Sequence, residues 1–231
     1  MRLDKFVCKS TALTKSEALK VIHAGAVSVN GRPIINEATQ VHENNQIWLN
    51  ETPLIARAFR YLLMHKPVDT ICSNIDERYP SLFNHIDIEN KTELHIAGRL
   101  DADTTGLVLI TDDGRWSYNI TIPTKQCKKV YRVGLTRPLC DAIPAAFLQG
   151  VQLQGEDRLT LPAIVDVVSP TEVLLTITEG KFHQVKRMFA AVGNRVQTLH
   201  REQIGDVRLD VKSGEWRYLS KEEIASFNVE E

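Results

Sequence analysis

The chain has 231 residues, of which 43% are hydrophobic and 25% are charged, and its formal net charge at pH 7 is -1. This composition is typical of a globular protein, and it excludes one that coats nucleic acid through bulk positive charge. The sequence contains no run of roughly 18 apolar residues, as a membrane span requires, and its charged N-terminus differs from a secretory signal. We therefore expect a cytoplasmic protein with no membrane partner.

Motifs for metals and cofactors are missing from the sequence. The four cysteines, Cys8, Cys72, Cys127 and Cys140, form no CxxC pair and no Cys/His cluster at zinc spacing. The sequence also lacks a Walker loop, a dinucleotide-binding fingerprint and a Ser-His-Asp pattern. We expect buried free thiols, no metal, and neither a nucleotide nor any other cofactor.

The first fifty residues predict two short helices followed by strands. An apolar stripe at Leu3, Phe6 and Val7 indicates the first helix. Thr14 and Glu17 form a capping-box pattern that begins the second helix, and Gly25 is a suitable left-handed stop. Asn30-Gly31 is typical of a turn with positive φ at both central positions, which here joins two strands.

Basic side chains outnumber acidic ones in this segment. Residues 1–50 contain six Lys or Arg and four Asp or Glu, a net charge of +2. Charge alone favours an ordinary solvated helix surface. The segments RLDKF and TKSEALKVIHAGAVSVNGRPI resemble the S4 RNA-binding module in order and spacing. That resemblance implies an RNA-phosphate surface formed by Arg2, Lys5, Lys15 and Lys20.

The remainder of the chain predicts one larger domain. We assign residues 1–50 to the S4-like module, 51–59 to a linker and 60–231 to this domain. Apolar runs of strand length, such as RYLLMHKP, LVLIT and EVLLTIT, alternate with turn signals. Helices are predicted near residues 115–121, 138–149, 183–192 and 221–227. Many strands with few helices favour an α+β fold on a mixed or antiparallel sheet.

Residues 101–112, DADTTGLVLITD, almost match a calcium-binding loop. Such a loop needs a bidentate Glu at its twelfth position and a flanking helix on each side. Asp112 is one methylene shorter, and LVLI is a strand pattern, so we reject the metal site. By itself, Asp101 would be a turn or cap residue. Gly106 would let a ligand approach the backbone closely. The polar neighbours able to contact such a ligand are Arg99, Thr104 and Thr105.

The stretch GRLDADTTGL resembles the signature of the pseudouridine synthases, in the branch whose catalytic domain follows an S4 module. The resemblance covers the whole chain. It implies a catalytic domain with a mixed, mainly antiparallel sheet, and it makes Asp101 the essential carboxylate. The family's Lys-Pro element corresponds to Lys66-Pro67, with Lys66 as an RNA contact. His65 and Asp69 stand where the family usually has Asn and Gly, so we expect this turn to be built differently.

Residues 179–194, EGKFHQVKRMFAAVGN, resemble a second family motif and also predict a helix. Its apolar positions follow the i, i+3, i+4, i+7 pattern of a buried stripe. At about 100° per residue, Lys186 lies at the edge of that stripe and Arg187 points away from it. We predict that Lys186 pairs with Asp101 and holds it ionised, and that Arg187 contacts phosphate. Ordinary solvated helix charges are the alternative.

The remaining candidates are residues of the segment KKVYRV and two histidines. Tyr131, in KKVYRV, corresponds to the family's Tyr that stacks against the target base. Without the resemblance it would be a strand Tyr packed on the core. Lys128 and Lys129, just before it, fit an RNA-backbone contact. We interpret His183 and His200 as structural histidines.

The resemblance implies that the chain breaks the N1–C1′ bond of a uridine in RNA and rejoins the uracil through C5. The motifs are most similar to the small-subunit branch of the family, which implies uridine 516 of 16S rRNA as the target. The expected partner is 16S rRNA or a small-subunit assembly intermediate, and the expected oligomeric state is a monomer. Two alternatives stay open: an enzyme acting on 23S rRNA, and a non-catalytic RNA-binding factor of ribosome assembly.

Overall fold

The computed structural model describes residues 1–42 and 44–227. The chain forms two compact units, Met1–Ala58 and Phe59–Glu231. The last four residues of the predicted domain 60–231 lie outside the described part of the chain. Within that part, no helix has the length and apolar character needed to cross a membrane.

The first unit contains two helices and a four-stranded antiparallel sheet. The helices are α1 (Leu3–Ser10) and α2 (Lys15–His23). The strands, in the sheet order β2-β1-β3-β4, are β1 (Val27–Val29), β2 (Arg32–Pro33), β3 (Ile47–Leu49) and β4 (Thr52–Pro53). The buried side chains of its core are Leu3, Val7, Ala18, Ile22, Val27, Val41, Ile47 and Leu54.

Local sequence signals account for much of this unit. The backbone N–H of Glu17 donates to the Thr14 hydroxyl and that of Thr14 to the Glu17 carboxylate, so the predicted capping box is confirmed. Asn30 and Gly31 have φ angles of 51° and 78°, as the predicted turn requires. The predicted linker begins too early, because residues 52–53 form β4 and Leu54 is part of the core.

The second unit is built on a nine-stranded sheet. Its strands are β5 (Tyr61–Lys66), β6 (His95–Ala97), β7 (Thr105–Thr111), β8 (Lys129–Leu135), β9 (Ile164–Ser169), β10 (Glu172–Ile177), β11 (Val196–Ile204), β12 (Val207–Arg208) and β13 (Trp216–Tyr218). The sheet order is β13-β5-β7-β11-β8-β10-β9, and in addition β6 pairs with β7 and β12 with β11. The helices are α3 (Gly114–Thr121), α4 (Ile143–Gln149), α5 (Gln184–Ala191) and α6 (Lys221–Ala225), with short 3-10 turns at Leu82–His85, Lys91–Glu93 and Pro123–Lys125. β7 and β11 pair in parallel, and the other named strand pairs are antiparallel. The predicted α+β fold with a mixed, mainly antiparallel sheet is confirmed.

Both faces of this sheet are covered. Along β7, Val108 and Ile110 belong to one apolar cluster, whereas Leu107 and Leu109 belong to another. Successive side chains of a strand point to opposite faces, so the run LVLI is buried on both sides. Helices α4 and α5 pack in the first cluster, and α3 and α6 pack in the second. The strands therefore form a rigid frame for the loops at their ends.

Candidate active site

The loop between β6 and β7 meets the first turn of α5. Asp101 lies in this loop, where its backbone carbonyl accepts a hydrogen bond from Thr104 N at 3.1 Å. Lys186 Nζ, on α5, lies 2.9 Å from Asp101 Oδ2 and 2.6 Å from Asp103 Oδ1. The structure thus brings together the two residues that the sequence predicts as a pair, from segments 85 residues apart.

His183 completes the environment of the carboxylate. Its Nε2 lies 3.3 Å from Asp101 Oδ1, so each oxygen of Asp101 faces a side-chain nitrogen. The structural interpretation of His183 missed this contact. A signal was present, because His183 stands three residues before Lys186, a spacing that would bring two side chains of a helix close together. The left-handed backbone of His183, with φ 47° just before α5, has no comparable signal in the sequence.

The charges of this cluster reinforce one another. Burial is the largest single influence and lowers the pKa of Lys186, but the hydrogen bonds and the charge attraction to Asp103 and Asp101 together outweigh it and raise that pKa above its usual value. The same contact with Lys186 lowers the pKa of Asp103. Lys186 is therefore a permanent cation at neutral pH, held against the carboxylate of Asp101.

A cavity of about 150 Å³ opens beside this cluster. Its lining side chains include Arg99, Asp101, Thr104, Tyr131, His183 and Lys186. An adjoining groove of about 660 Å³ shares Arg99, Asp101 and His183 with the cavity. A groove of this volume lies within the range of small-molecule sites, about 300–1,000 Å³. The arrangement can hold a planar group close to an oriented carboxylate.

Tyr131 forms one wall of the cavity and is also part of the core. Its side chain is buried, with 7% exposure, and its hydroxyl accepts a hydrogen bond from Arg201 Nη1 at 3.3 Å. Both sequence interpretations of Tyr131 therefore fit its position, and its contact with a base stays a prediction. Arg201 is fully buried and also donates to the carbonyls of Leu107 and Gly98, each at 2.7 Å. Sequence reasoning missed Arg201, because its role depends on pairing between distant strands.

Two lysines predicted to contact RNA are buried. Lys66 is completely buried, and its ammonium donates to the carbonyls of Pro67 at 2.9 Å and Ala102 at 3.2 Å. The ammonium of Lys129 donates to two backbone carbonyls at 3.0 and 3.3 Å. Burial lowers the pKa of both groups. Neither position fits a phosphate contact. Lys66 instead fixes the carbonyl of the residue that follows Asp101.

Arg187 and the two threonines are also engaged within the protein. Arg187 donates to Glu156 Oε1 at 3.1 Å and to the carbonyls of residues 154 and 182, so the predicted phosphate contact does not fit. The Thr105 hydroxyl lies 2.7 Å from His200 Nδ1 and is directed to β11. Thr104 lines the cavity but is buried, and its hydroxyl donates to Asp103 at 3.4 Å.

The backbone around the site differs from expectation in two places. A Cβ on Gly106 would lie 2.3 Å from the carbonyl oxygen of Arg201, so the glycine is needed for the close packing of β7 against β11. The prediction that Gly106 lets a ligand approach the backbone is therefore wrong. Asp69 adopts φ 58°, the conformation that a glycine would favour, so the Lys-Pro turn keeps a left-handed residue despite the substitution. The Asp69 N–H then donates to the carbonyl of Ala102 at 2.9 Å.

The backbone conformation of residues 101–112 is not that of a calcium-binding loop. Residues 105–111 form β7, so the second half of the window is a strand rather than a calcium-binding loop. In residues 1–42 and 44–227, no group of three or more His, Cys, Asp or Glu side chains could hold a metal ion. The four cysteines are free thiols, but only Cys72 is fully buried, and Cys140 is exposed.

The remaining predicted RNA contacts lie on the surface. Arg99 is exposed in the groove and has no hydrogen bond or ion pair with the residues that the structure describes. On the first unit, Lys5, Lys15 and Lys20 are exposed. Arg2 is exposed as well, although it is paired with Asp4 at 3.0 Å. Contact of these five residues with RNA stays a prediction.

Family comparisons cover most of the chain. The model described as RNA pseudouridylate synthase matches residues 60–191, and the S4 domain model matches residues 1–47. The chain belongs to the RNA pseudouridylate synthase family. It is therefore an isomerase with an N-terminal S4 domain, and the resemblance seen in its motifs is confirmed.

Relatives of this pseudouridine synthase match it along almost their whole length. Proteins named ribosomal small subunit pseudouridine synthase A from Vibrio cholerae, Pasteurella multocida and Escherichia coli strain K12 are 46%, 47% and 45% identical to it. The matches cover 98%, 99% and 98% of this chain and 99%, 100% and 99% of the relatives. A crystal structure described as a pseudouridylate synthase aligns with a TM-score of 0.73 at 42% identity, over 99% of this chain and 100% of that one.

Proposed function

We propose that this pseudouridine synthase isomerises uridine 516 of 16S rRNA, with Asp101 as the catalytic carboxylate. The observation that carries the proposal is the placement of Asp101 beside a cavity, with Lys186 on one oxygen and His183 on the other. The choice of 16S rRNA is supported by full-length relatives named ribosomal small subunit pseudouridine synthase A. We further propose that the enzyme is cytoplasmic and acts as a monomer, either on 16S rRNA or on a small-subunit assembly intermediate.

The target nucleotide must leave the helical stack before it can react. A uracil stacked in RNA cannot turn in place, so it enters the cavity by base flipping, at a cost of about a few kcal/mol in lost stacking. Tyr131, in the cavity wall, offers the flipped base a new contact surface. Arg99 at the groove binds a phosphate of the flanking strand, and the basic side chains of the S4 domain also bind RNA phosphates.

Asp101 then acts on the ribose by one of two routes. It attacks C1′ and forms a glycosyl ester as the N1–C1′ bond breaks, or it removes the C2′ proton and leaves a glycal. In the first route the uracil turns and C5 attacks C1′, which displaces the Asp101 carboxylate. In the second route C5 bonds to C1′ of the glycal and Asp101 returns the proton to C2′. In both routes the C5 hydrogen then leaves as a proton and N1 gains a proton. Lys186 and His183 keep the carboxylate oriented during these steps. The isomerisation balances without a redox step.

The test is tritium release from 16S and 23S rRNA transcripts labelled with 5-³H-uridine. Release from 16S rRNA alone, mapped to a single uridine and lost in Asp101→Asn, is the expected result. The variant should bind RNA as the wild type does, because the substitution leaves the shape of the side chain unchanged. Equal loss of binding and turnover contradicts a catalytic role for Asp101. Release from 23S rRNA alone assigns the enzyme to the large subunit, and binding without release from either RNA favours an assembly factor.

A further inference from the structure

Phe182 is the most exposed aromatic ring beside the candidate active site. Its side chain is 76% exposed, whereas most phenylalanines are largely buried. The ring stacks on His183, with centroids 3.8 Å apart and an angle of 22° between the planes. His183 in turn contacts Asp101 at 3.3 Å. Phe182 therefore extends a stack of rings outward from the catalytic carboxylate and leaves its other face open.

The turn that carries Phe182 is held firmly. Arg187 donates to the Phe182 carbonyl at 3.0 Å and to the Gln154 carbonyl at 2.6 Å. The N–H of Lys181 donates to the side chain of Gln184 at 2.8 Å, and Gln184 is itself buried. Hydrogen bonds on both sides of the ring thus fix its backbone. A ring kept in water by such a scaffold forgoes the favourable burial that it would otherwise gain.

The surroundings of Phe182 match a strand of nucleic acid. The ring lines the groove next to Asp101, together with Arg99 and His183. Arg99 is exposed and has no ion pair within the described residues, so its charge is available to a phosphate. When a uridine flips out, the next base loses a stacking partner, and an aromatic side chain can replace it regardless of sequence.

We propose that Phe182, backed by His183, is a stacking platform for the nucleobase that flanks the target uridine. The ligand is an unpaired base of the bound RNA strand, and Arg99 contacts the phosphate beside it. The platform is separate from the cavity wall at Tyr131, which receives the flipped base itself. This inference rests on the proposed catalytic position of Asp101, because the flanking base is defined by the nucleotide that reacts there.

The test compares Phe182→Leu, which keeps an apolar side chain without a ring, with Phe182→Tyr, which keeps the ring. A matched control is Tyr218→Leu, because Tyr218 is an exposed aromatic ring on β13, outside the cavity and groove. Dissociation constants are measured for a 16S rRNA fragment centred on the uridine that the wild-type enzyme modifies. We expect Phe182→Leu to weaken binding roughly 5- to 150-fold, with kcat at saturating RNA little changed. Phe182→Tyr and Tyr218→Leu should bind like the wild type.

The same comparison in the Asp101→Asn background separates the platform from catalysis. An equal loss of affinity there supports the platform whatever the rate of turnover. In the Asp101→Asn complex, 2-aminopurine next to the target uridine should also be quenched by stacking, and Phe182→Leu should relieve the quenching. Unchanged affinity in Phe182→Leu, a loss that affects kcat alone, or equal weakening in Tyr218→Leu overturns the proposal. Absence of tritium release with these binding effects intact instead refutes the proposed reaction.

Discussion

Replacement of Lys186 with Met should reduce kcat strongly without unfolding the protein. The ammonium lies 2.9 Å from Asp101 and 2.6 Å from Asp103, so its loss removes the cation that the two carboxylates share and leaves Asp101 with the His183 contact at 3.3 Å. At 2.9 Å, two unit charges attract by about 1.4 kcal/mol in bulk water and by about 6 kcal/mol at an effective dielectric constant of about 20. The side chains of Lys186 and Asp101 are 28% and 31% exposed, which places the pair between these limits. If the variant loses about 3 kcal/mol of the free energy that holds Asp101 in its reactive orientation, kcat falls roughly 150-fold.

The assay is tritium release at saturating RNA, with thermal unfolding measured in parallel. Lys186→Arg keeps the positive charge and should retain most of the activity. Lys221→Met removes an exposed lysine of α6 and controls for the general loss of charge toward RNA. If Lys186→Met keeps kcat within about threefold of the wild type, the ion pair does not support catalysis and the reasoning is refuted.

Three further predictions concern the frame of the site. Arg201→Met removes the donor to two backbone carbonyls and to Tyr131, so the free energy of unfolding measured with urea should fall by about 3–5 kcal/mol; an unchanged value contradicts this. Gly106→Ala should prevent folding, because a Cβ meets the Arg201 backbone at 2.3 Å, whereas Gly114→Ala, which meets nothing within 4 Å, should fold normally in the same solubility assay. Burial, and then a neighbouring histidine, lower the pKa of His200 from its usual value of 6.5. As pH falls below 6.5, the unfolded chain therefore binds a proton at this position before the folded chain does, and the free energy of unfolding should decrease. His200→Gln should make the melting temperature less dependent on pH across that range.

Local patterns predicted the parts of the molecule that depend on local physics. The run LVLI in β7, the Thr14 capping box and the Asn30-Gly31 turn each follow from the conformational preferences of a few adjacent residues. The helical periodicity of α5 also predicted that Lys186 lies at the edge of the apolar stripe, within reach of Asp101, because helical geometry fixes which side chains share a face. Helix α4 begins at Ile143, later than the expected 138, with a proline in its first turn.

The misplaced residues depend on distant parts of the chain. Lys66 looks like a surface cation in sequence, but its position at the end of β5 buries the ammonium against the loop carrying Asp101. Arg187 does point away from the apolar stripe of α5, yet Glu156 and two carbonyls occupy the space there. Arg201 is fixed by pairing of β11 with two other strands. No short window of sequence contains these partners.

The parallel pairing of β7 with β11 has a consequence for the timing of synthesis. Thr105 aligns with His200, so β7, which follows the loop that carries Asp101, cannot form this pairing until a segment 95 residues later has been made. At about 5–20 residues per second, a ribosome takes roughly 5–20 s to add that stretch. The S4 domain, by contrast, is complete within the first 58 residues. A nascent or prematurely ended chain is therefore expected to hold RNA before it can modify it, and catalysis begins only when almost all of the enzyme has been translated.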